Sequence, residues 1–447
     1  MTETTERGLV PAQTPEATVR DPGIGVAIFA GVACIALQRL GIPLAGGVAP
    51  IFPFLVAAGL VFAFIKGALR LEPMVVVGYV VVLFTGALMC VGKGASATSL
   101  LLVALIWLPS LFTVRSHWWT ERFTLGLCIG TAAGAALGIV QSIANLAVGV
   151  FVDPIASLPK QILVQGFNTT YEVVFGSGWL KANGMLFLEP SMLSLFCVVA
   201  LTAVVEPGYL KIGGSRRIVL GVLLAAGAIA SVAISGLVVL PALVWALGRT
   251  LYRGRARSRL SVLVSLLGIA VLVVGTRWGQ AFVLRASAGW DQSSNSMRLV
   301  KPFTEMLPTA LTESPWIGLG PGSLHRATLV DYSGWESEVA TPTLAKLGYE
   351  YGLVGLAALL LLLLALVGRR PAPGSVIAAF IVALTIPIDG LASGIVAPAA
   401  LLMMMGRSGS GSGSTGELGL KRRRGDFPHL RRDAVLRYGS WEQDRAG

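Results

Sequence analysis

Charged residues are scarce in this chain of 447 residues. Asp, Glu, Lys and Arg make up 13% of it, whereas roughly a quarter is usual in soluble proteins. Apolar residues make up 54%, and the mean hydropathy is +0.75. This composition excludes an ordinary soluble enzyme. The net charge is +12, and in so apolar a chain a basic surplus is first interpreted as a marker of membrane orientation.

Cysteine motifs and cofactor motifs are also missing. The sequence has no CxxC, no HExxH, no phosphate loop of the type GxxxxGKS or GxxxxGKT, and no Asp-x-Asp pair. We therefore expect neither a metal nor a cofactor, and neither ATP nor a cytoplasmic nucleotide sugar as the energy source. The cysteines fall inside predicted spans and are interpreted as small apolar packing residues: Cys34, Cys90, Cys128 and Cys197.

Long apolar runs recur along the chain. A bilayer core about 30 Å thick is crossed by roughly 20 apolar residues in a helix, and the sequence predicts about twelve such spans. Their bounds are 23–42, 44–65, 73–91, 98–114, 123–151, 185–206, 218–234, 236–250, 260–276, 352–368, 375–389 and 391–406. The seventh and eighth spans, or the last two, could instead form a re-entrant hairpin. The predicted fold class is an all-α polytopic transmembrane bundle, with short helices in a large outward-facing loop.

Basic residues mark one side of the predicted membrane. They flank alternate connections, at Lys66 and Arg70, Arg115 and Arg122, Lys211, Arg216 and Arg217, Arg249 to Arg259, and Arg369 and Arg370. By the positive-inside rule this side is the cytoplasm. It also holds the N-terminal tail 1–22, which shows no signal peptide, and the flexible Ser-Gly-rich tail 407–447. Two long connections, about 152–184 and 277–351, then face outward.

The first outward loop ends in Lys181-Ala-Asn-Gly-Met-Leu-Phe-Leu-Glu189-Pro-Ser. We predict that Glu189 lies about one turn into the next helix, at the outer boundary of the bilayer. A carboxylate at that depth is costly unless it is paired or faces water, so Glu189 is a candidate catalytic residue. The alternative is a structural role, as a helix cap or as a partner of Lys181.

The second outward loop is basic, which indicates an anionic partner. Its segment 296–311 predicts a short surface helix, kinked or begun at Pro302. The residues expected to face the membrane are Met297, Val300, Met306, Leu307 and Leu311. Arg298, Lys301 and Glu305 share the opposite face. An Arg beside the headgroups suits a lipid phosphate, because its planar fork donates two hydrogen bonds to phosphate oxygens; a solvated charged face is the alternative.

Other polar residues lie at the predicted outer edge. Gly318-Leu-Gly-Pro-Gly-Ser predicts a tight loop whose N–H groups face a substrate. His325 is a candidate acid, base or phosphate contact, although a lone His is more often structural. Gln141 and Asn145 share one face of the fifth span, where they could bind a sugar or bridge to another helix. Asp389 is a similar candidate near the end of the eleventh span.

Three segments resemble the O-antigen ligase and polymerase family, bacterial multi-span glycosyltransferases of the GT-C type. The run from Lys181 to Ser191 resembles the family's basic residue followed by a Glu-Pro-Ser helix start. Ser296-Met-Arg-Leu and Ser314-Pro-Trp-Ile-Gly-Leu-Gly-Pro-Gly resemble its long outer loop. The segment 341–355 resembles the entry into the next span. Together the matching segments cover roughly 170–370.

Two residues depart from the family pattern. The family usually has Arg where this chain has Lys181. Its ligase members carry a His-Asn pair eleven residues before the glycine aligned with Gly352, and this chain has Thr341-Pro342 there. The His assigned to ligase catalysis is therefore missing, which favours a chain polymerase over a ligase.

The resemblance implies polymerisation, or transfer, of polyprenyl-diphosphate-linked oligosaccharide units at the outer face of the bacterial cytoplasmic membrane, for a surface polysaccharide or exopolysaccharide. Arg298, Lys301 and Lys181 would hold the diphosphate. Glu189 would take the proton of the acceptor hydroxyl, with Glu305, His325 and Asp389 as further candidates. The expected partners are the lipid-linked glycan, membrane lipids, a flippase and a chain-length regulator, and no nucleic acid.

Two other classes stay open. A transporter or flippase for the same lipid-linked glycan would also have about twelve spans, but transporters tend to show internal repeats, broken helices and polar groups near the midplane. This sequence shows no repeat, and its polar groups concentrate at the outer edge. A binding or scaffold protein of an envelope assembly is the third possibility.

Overall fold

The computed structural model of the protein describes residues 22–44, 47–114, 116, 118–164, 172, 179–253, 300–324, 341–386 and 396–406. These residues are mostly helical and belong to one unit, Met1–Arg407. The α-helices among them are α1 Pro22–Ala36, α2 Ile51–Ile65, α3 Pro73–Lys93, α4 Ala97–Trp107, α5 Trp119–Val148, α6 Pro190–Val205, α7 Gly214–Ala230, α8 Leu240–Arg253, α9 Leu307–Glu313, α10 Thr343–Arg369, α11 Gly374–Thr385 and α12 Val396–Met404. The described strands are β1 Gly41–Leu44, β2 Gly47–Pro50, β3 Leu69–Leu71 and β4 Phe112–Val114.

Several of these helices are suited to a bilayer. Four helical segments in the described part of the chain are long and apolar enough to cross a membrane: Pro73–Lys93, Trp119–Val148, Ser235–Tyr252 and Thr343–Arg369. Other apolar helices, such as α2 and α6, have 10–17 residues, fewer than the roughly 20 that a full crossing needs. Because of the four long apolar helices, we describe the chain as a helical membrane protein. The predicted span 260–276 lies outside the described residues.

The predicted span 44–65 was wrong in its first part. Strands β1 and β2 instead pair antiparallel, with Gly41 opposite Pro50 and Leu44 opposite Gly47, and α2 begins only at Ile51. Mean hydropathy does not distinguish these two strands from a helix, because their residues are apolar on average. In the sequence, Pro43 and the Gly-Gly pair that follows it are the local signals against a helix.

Four glycines spaced four residues apart, Gly126, Gly130, Gly134 and Gly138, form one face of α5. A methyl group on Gly126 would overlap the carbonyl oxygen of Ile28 in α1, and a methyl group on Gly134 would overlap the Phe187 ring. Small residues allow backbones to approach closely inside a membrane. The first half of this face accordingly packs against α1, and the second half packs against the chain that leads into α6.

Helix α10 is interrupted at Gly352, whose φ of 59° and ψ of −152° are not helical. The glycine-containing loop 314–323 fills the interruption. Leu319 and Gly320 N–H groups donate to the carbonyls of Tyr349 and Glu350, each at 2.9 Å. On the other side of the break, Leu353 and Val354 N–H groups donate to the carbonyls of Pro315 and Trp316, at 2.8 and 3.1 Å.

Two predictions were wrong here. The N–H groups of Leu319 and Gly320 donate to carbonyls of α10 and do not face a substrate. The helix also begins at Thr343, nine residues before the predicted start of the span at 352. A broken helix in a membrane is tolerated where other parts of the protein satisfy its free peptide groups, and here the loop does so.

The segment before the loop also differs from its prediction. Residues 302–306 form a π-helical turn with Pro302 at its start, followed by α9. Met306 and Ala310 are buried and cluster with Leu324 and Tyr349. The prediction that Met306 faces the membrane was therefore wrong, because this apolar side packs against α10. The residues 296–299 lie outside the described part.

Candidate functional site

Residues 179–189 form a non-helical segment that lies against α5. Leu180 N–H donates to Asn145 Oδ1 at 3.0 Å, and Gly184 N–H donates to Gln141 Oε1 at 2.8 Å. Asn145 and Gln141 are one helical turn apart on the same face. The segment therefore runs along α5 from the C-terminal end of that helix toward its middle before α6 begins.

Gln141 holds this segment with its whole amide group. Its Nε2 donates to the carbonyl of Val152 at 2.8 Å and to Asn183 Oδ1 at 3.1 Å, while its Oε1 accepts from Gly184. The side chain is 0% exposed. The sequence left open sugar binding or a bridge to another helix; in the structure Gln141 instead bonds to Val152, Asn183 and Gly184, which lie outside helices.

A turn in a rare backbone conformation lies in the middle of the segment. Gly184 and Met185 have φ values of 64° and 58°. Glycine is needed at 184 because a Cβ there would overlap the carbonyl oxygen of Gly134. Met185 is unusual, since residues other than glycine rarely adopt this region. Asn183 Oδ1 accepts from Met185 N–H at 3.0 Å and so holds the turn from one side.

An ion pair holds the turn from the other side. Arg39 Nη1 donates to both carboxylate oxygens of Asp153, at 2.6 and 2.9 Å, and to the carbonyl of Met185 at 2.8 Å. This pair was not predicted from the sequence. The available signal was Arg39 itself, a basic residue inside the predicted span 23–42, because charges inside spans are costly and tend to be functional.

Glu189 is the N-cap residue of α6, with extended backbone angles, and Pro190 is the first helical residue. The prediction that placed it one turn inside the helix was therefore wrong. The Glu-Pro sequence was the missed signal, because proline is favoured at the first position of a helix. The Glu189 carbonyl accepts from Met192 and Leu193 N–H groups at 3.1 and 3.3 Å, and Ser191 Oγ donates to Glu189 Oε2 at 2.7 Å.

Two opposite charges are thus buried on one short segment. Glu189 is 6% exposed and Lys181, eight residues earlier, is 5% exposed. Burial of a charge is costly unless other groups compensate it. A segment that keeps a cation and a carboxylate nearly out of water, beside the C-terminal half of α5, is the candidate functional site.

The other predicted site residues lie elsewhere. Lys301 is half-buried and Glu305 exposed on the π-helical turn, which packs against α10. Gln141 thus bonds to the segment that carries Lys181 and Glu189, whereas Lys301 and Glu305 lie on a second segment. Arg298, His325 and Asp389 lie outside the described residues, so their roles stay predictions.

A cleft lies between α3, α4 and α10. It is lined almost entirely by apolar side chains, among them Val82, Leu83 and Leu359. Tyr79, which also lines it, donates its hydroxyl to the carbonyl of Ala104 at 2.6 Å. The cleft offers little polar surface for catalysis, so it is not the candidate site.

No protein-family model matches the sequence, and no curated protein matches it significantly. The function is therefore inferred from the site. Within the described ranges, no group of three or more His, Cys, Asp and Glu residues is placed to hold a metal ion. The resemblance to O-antigen ligases and polymerases therefore rests on sequence alone, in the segments 181–191, 296–322 and 341–355.

Proposed function

We propose that this protein is a membrane glycosyltransferase that polymerises polyprenyl-diphosphate-linked oligosaccharide units at the outer face of the bacterial cytoplasmic membrane. The observation that carries the proposal is the hydrogen-bonded segment 179–189 with its buried Lys181 and Glu189. Glycan transfer from a lipid diphosphate needs a cation for the departing charge and a group that accepts the proton of the attacking hydroxyl. The segment carries one of each.

The proposed reaction is a single displacement. The acceptor hydroxyl attacks the anomeric carbon of the donor, and Glu189 takes its proton. The bond between sugar and diphosphate breaks, and the lipid diphosphate leaves with its charge held by Lys181. That bond supplies the energy, so no nucleotide is consumed. One displacement inverts the anomeric configuration.

We prefer polymerisation to ligation because residues 341 and 342, just before α10, lack the His-Asn pair of the ligases. Thr341 and Pro342 stand where the ligases of the family carry His and Asn, and Thr341 is 2% exposed. A strain that lacks this protein separates the two reactions. A single repeat unit left on the lipid supports a polymerase, whereas an intact polymer that is not transferred to its final carrier supports a ligase.

We further propose about twelve spans with both termini in the cytoplasm, which a labelling experiment tests. In a Cys90→Ala background the three remaining native cysteines are buried. Lys93→Cys, at the exposed end of α3, is expected to react with a membrane-impermeant maleimide in intact cells. Arg216→Cys, in the exposed first turn of α7, is expected to react only after the membrane is opened. The reverse pattern would place segment 179–189 in the cytoplasm and refute the proposed site.

A flippase for the same lipid-linked glycan is the second candidate, and the break in α10 at Gly352 favours it, because discontinuous helices are typical of secondary transporters. The loop 314–323 occupies this break and bonds to the peptide groups of Tyr349, Glu350, Leu353 and Val354. Those groups are then directed to protein rather than to a substrate, which weakens the transporter reading.

Purified protein in proteoliposomes with a lipid-linked oligosaccharide distinguishes the two candidates. We expect the glycan to be lengthened and lipid diphosphate to be released in equal amount, without added nucleotide or metal. Mass spectrometry of the glycan and thin-layer chromatography of the lipid measure both products. Movement of an unchanged substrate to the other leaflet, with no longer glycan, would establish the flippase instead.

A further inference from the structure

Arg39 is a buried charge that the proposed reaction does not use. It lies three residues beyond the end of α1 and is 5% exposed, and its partner Asp153 is 6% exposed. The same Nη1 that binds Asp153 also donates to the Met185 carbonyl at 2.8 Å. One guanidinium therefore joins the end of α1, the start of the outward loop and the turn that precedes Glu189.

The ion pair alone does not explain this arrangement. Removal of two charges from water costs about as much as their attraction returns, and an apolar pair of similar volume often stabilises a protein equally well. An apolar pair could hold α1 against the loop. It could not donate a hydrogen bond to the Met185 carbonyl.

That hydrogen bond acts on a strained residue. Met185 has a φ of 58°, a conformation that persists in a residue other than glycine only where the surroundings hold it. Its N–H is held by Asn183 at 3.0 Å and its carbonyl by Arg39 at 2.8 Å. Met185 lies midway between the two buried charges, four residues after Lys181 and four before Glu189.

We propose that Arg39 is a positioning residue for the glycan-transfer site: it holds the Gly184–Met185 turn, and the turn sets the separation of Lys181 and Glu189. This inference rests on the proposed function. It assigns to the end of α1 a role in the reaction, although that helix carries none of the groups expected to contact the substrate.

A double variant separates positioning from stability. Arg39→Leu alone leaves the Asp153 charge buried without its partner, and we expect it to lower both the melting temperature and the turnover. The variant Arg39→Leu with Asp153→Leu removes both charges and is expected to melt within a few degrees of the wild type. Its kcat for glycan extension should nevertheless stay on the order of 100-fold low, with KM little changed, because a displaced catalytic group costs about that much. Arg39→Lys, which keeps a donor, should recover part of kcat.

The outcomes are distinguishable from those of the proposed function. Wild-type kcat in a stable double variant would show that Arg39 has only a structural role. If the double variant is not inserted, Asp153→Asn decides, because it removes the ion pair but leaves Arg39 to donate to the Met185 carbonyl. We then expect a lowered melting temperature with kcat per inserted molecule close to that of the wild type, and a kcat lowered about 100-fold overturns the proposal. Hydrogen–deuterium exchange gives a readout without substrate. The amides of Gly184 and Phe187 should exchange faster in the double variant, and unchanged protection would count against positioning even if the wild type extends no glycan.

Discussion

Replacement of Glu189 by Gln is expected to lower glycan extension by roughly 10²–10⁴-fold, the usual contribution of a general base. Gln has nearly the same shape as Glu, and its side-chain oxygen can still accept from Ser191 Oγ, which donates to Glu189 at 2.7 Å. The N-cap backbone bonds to Met192 and Leu193 do not involve the carboxylate. We therefore expect normal insertion and a melting temperature close to that of the wild type, measured beside the rate in proteoliposomes.

The same substitution at the other end of α6 is the matched control. Glu206 follows the last residue of α6 and is 0% exposed; Arg249 Nη1 lies 3.3 Å from one of its carboxylate oxygens, and Ser375 donates a hydrogen bond to the other. Glu206→Gln is expected to lower stability and to leave the extension rate per inserted molecule within about threefold of the wild type. Equal rates in Glu189→Gln and the wild type would show that Glu189 is only a cap residue.

Substitution of Gly352 by Ala is expected to destabilise the protein by about 3 kcal/mol or more. The backbone angles at Gly352 lie in a region that is essentially restricted to glycine. A Cβ there would also lie 2.6 Å from the carbonyl oxygen of Pro315 and 2.7 Å from the backbone nitrogen of Gly318. Because these are backbone atoms, no side chain can move aside, and the loop 314–323 must leave the break.

Gly368 supplies the control in the same helix. It is exposed, and nothing lies within 4 Å of a Cβ built there. Alanine has a higher helix propensity than glycine by up to about 1 kcal/mol, so Gly368→Ala should be neutral or stabilising. Thermal unfolding in detergent measures both variants. Equal melting temperatures for Gly352→Ala and Gly368→Ala would mean that α10 is not broken as described.

The sequence determined the class of the protein and several of its helices. Low charge and long apolar runs indicated a helical membrane protein, and the bounds of α3 and the core of α5 agree closely with the predicted spans 73–91 and 123–151. These helices can be predicted from the composition of a window of about twenty residues, because a helix that crosses the apolar core of a bilayer must be apolar over that length. The sequence also indicated Lys181 and Glu189 as candidate site residues, because charges are rare beside a predicted span.

Only the tertiary structure decided how those charges are held. The bonds of Arg39 to Asp153 and Met185 join residues 114 and 146 positions apart, and the break at Gly352 is occupied by a loop that ends some thirty residues earlier in the chain. No window along the sequence contains both partners of such contacts. The sequence shows which residues are costly to bury. The fold determines which distant peptide groups and carboxylates compensate that cost, and hence where the site is rigid.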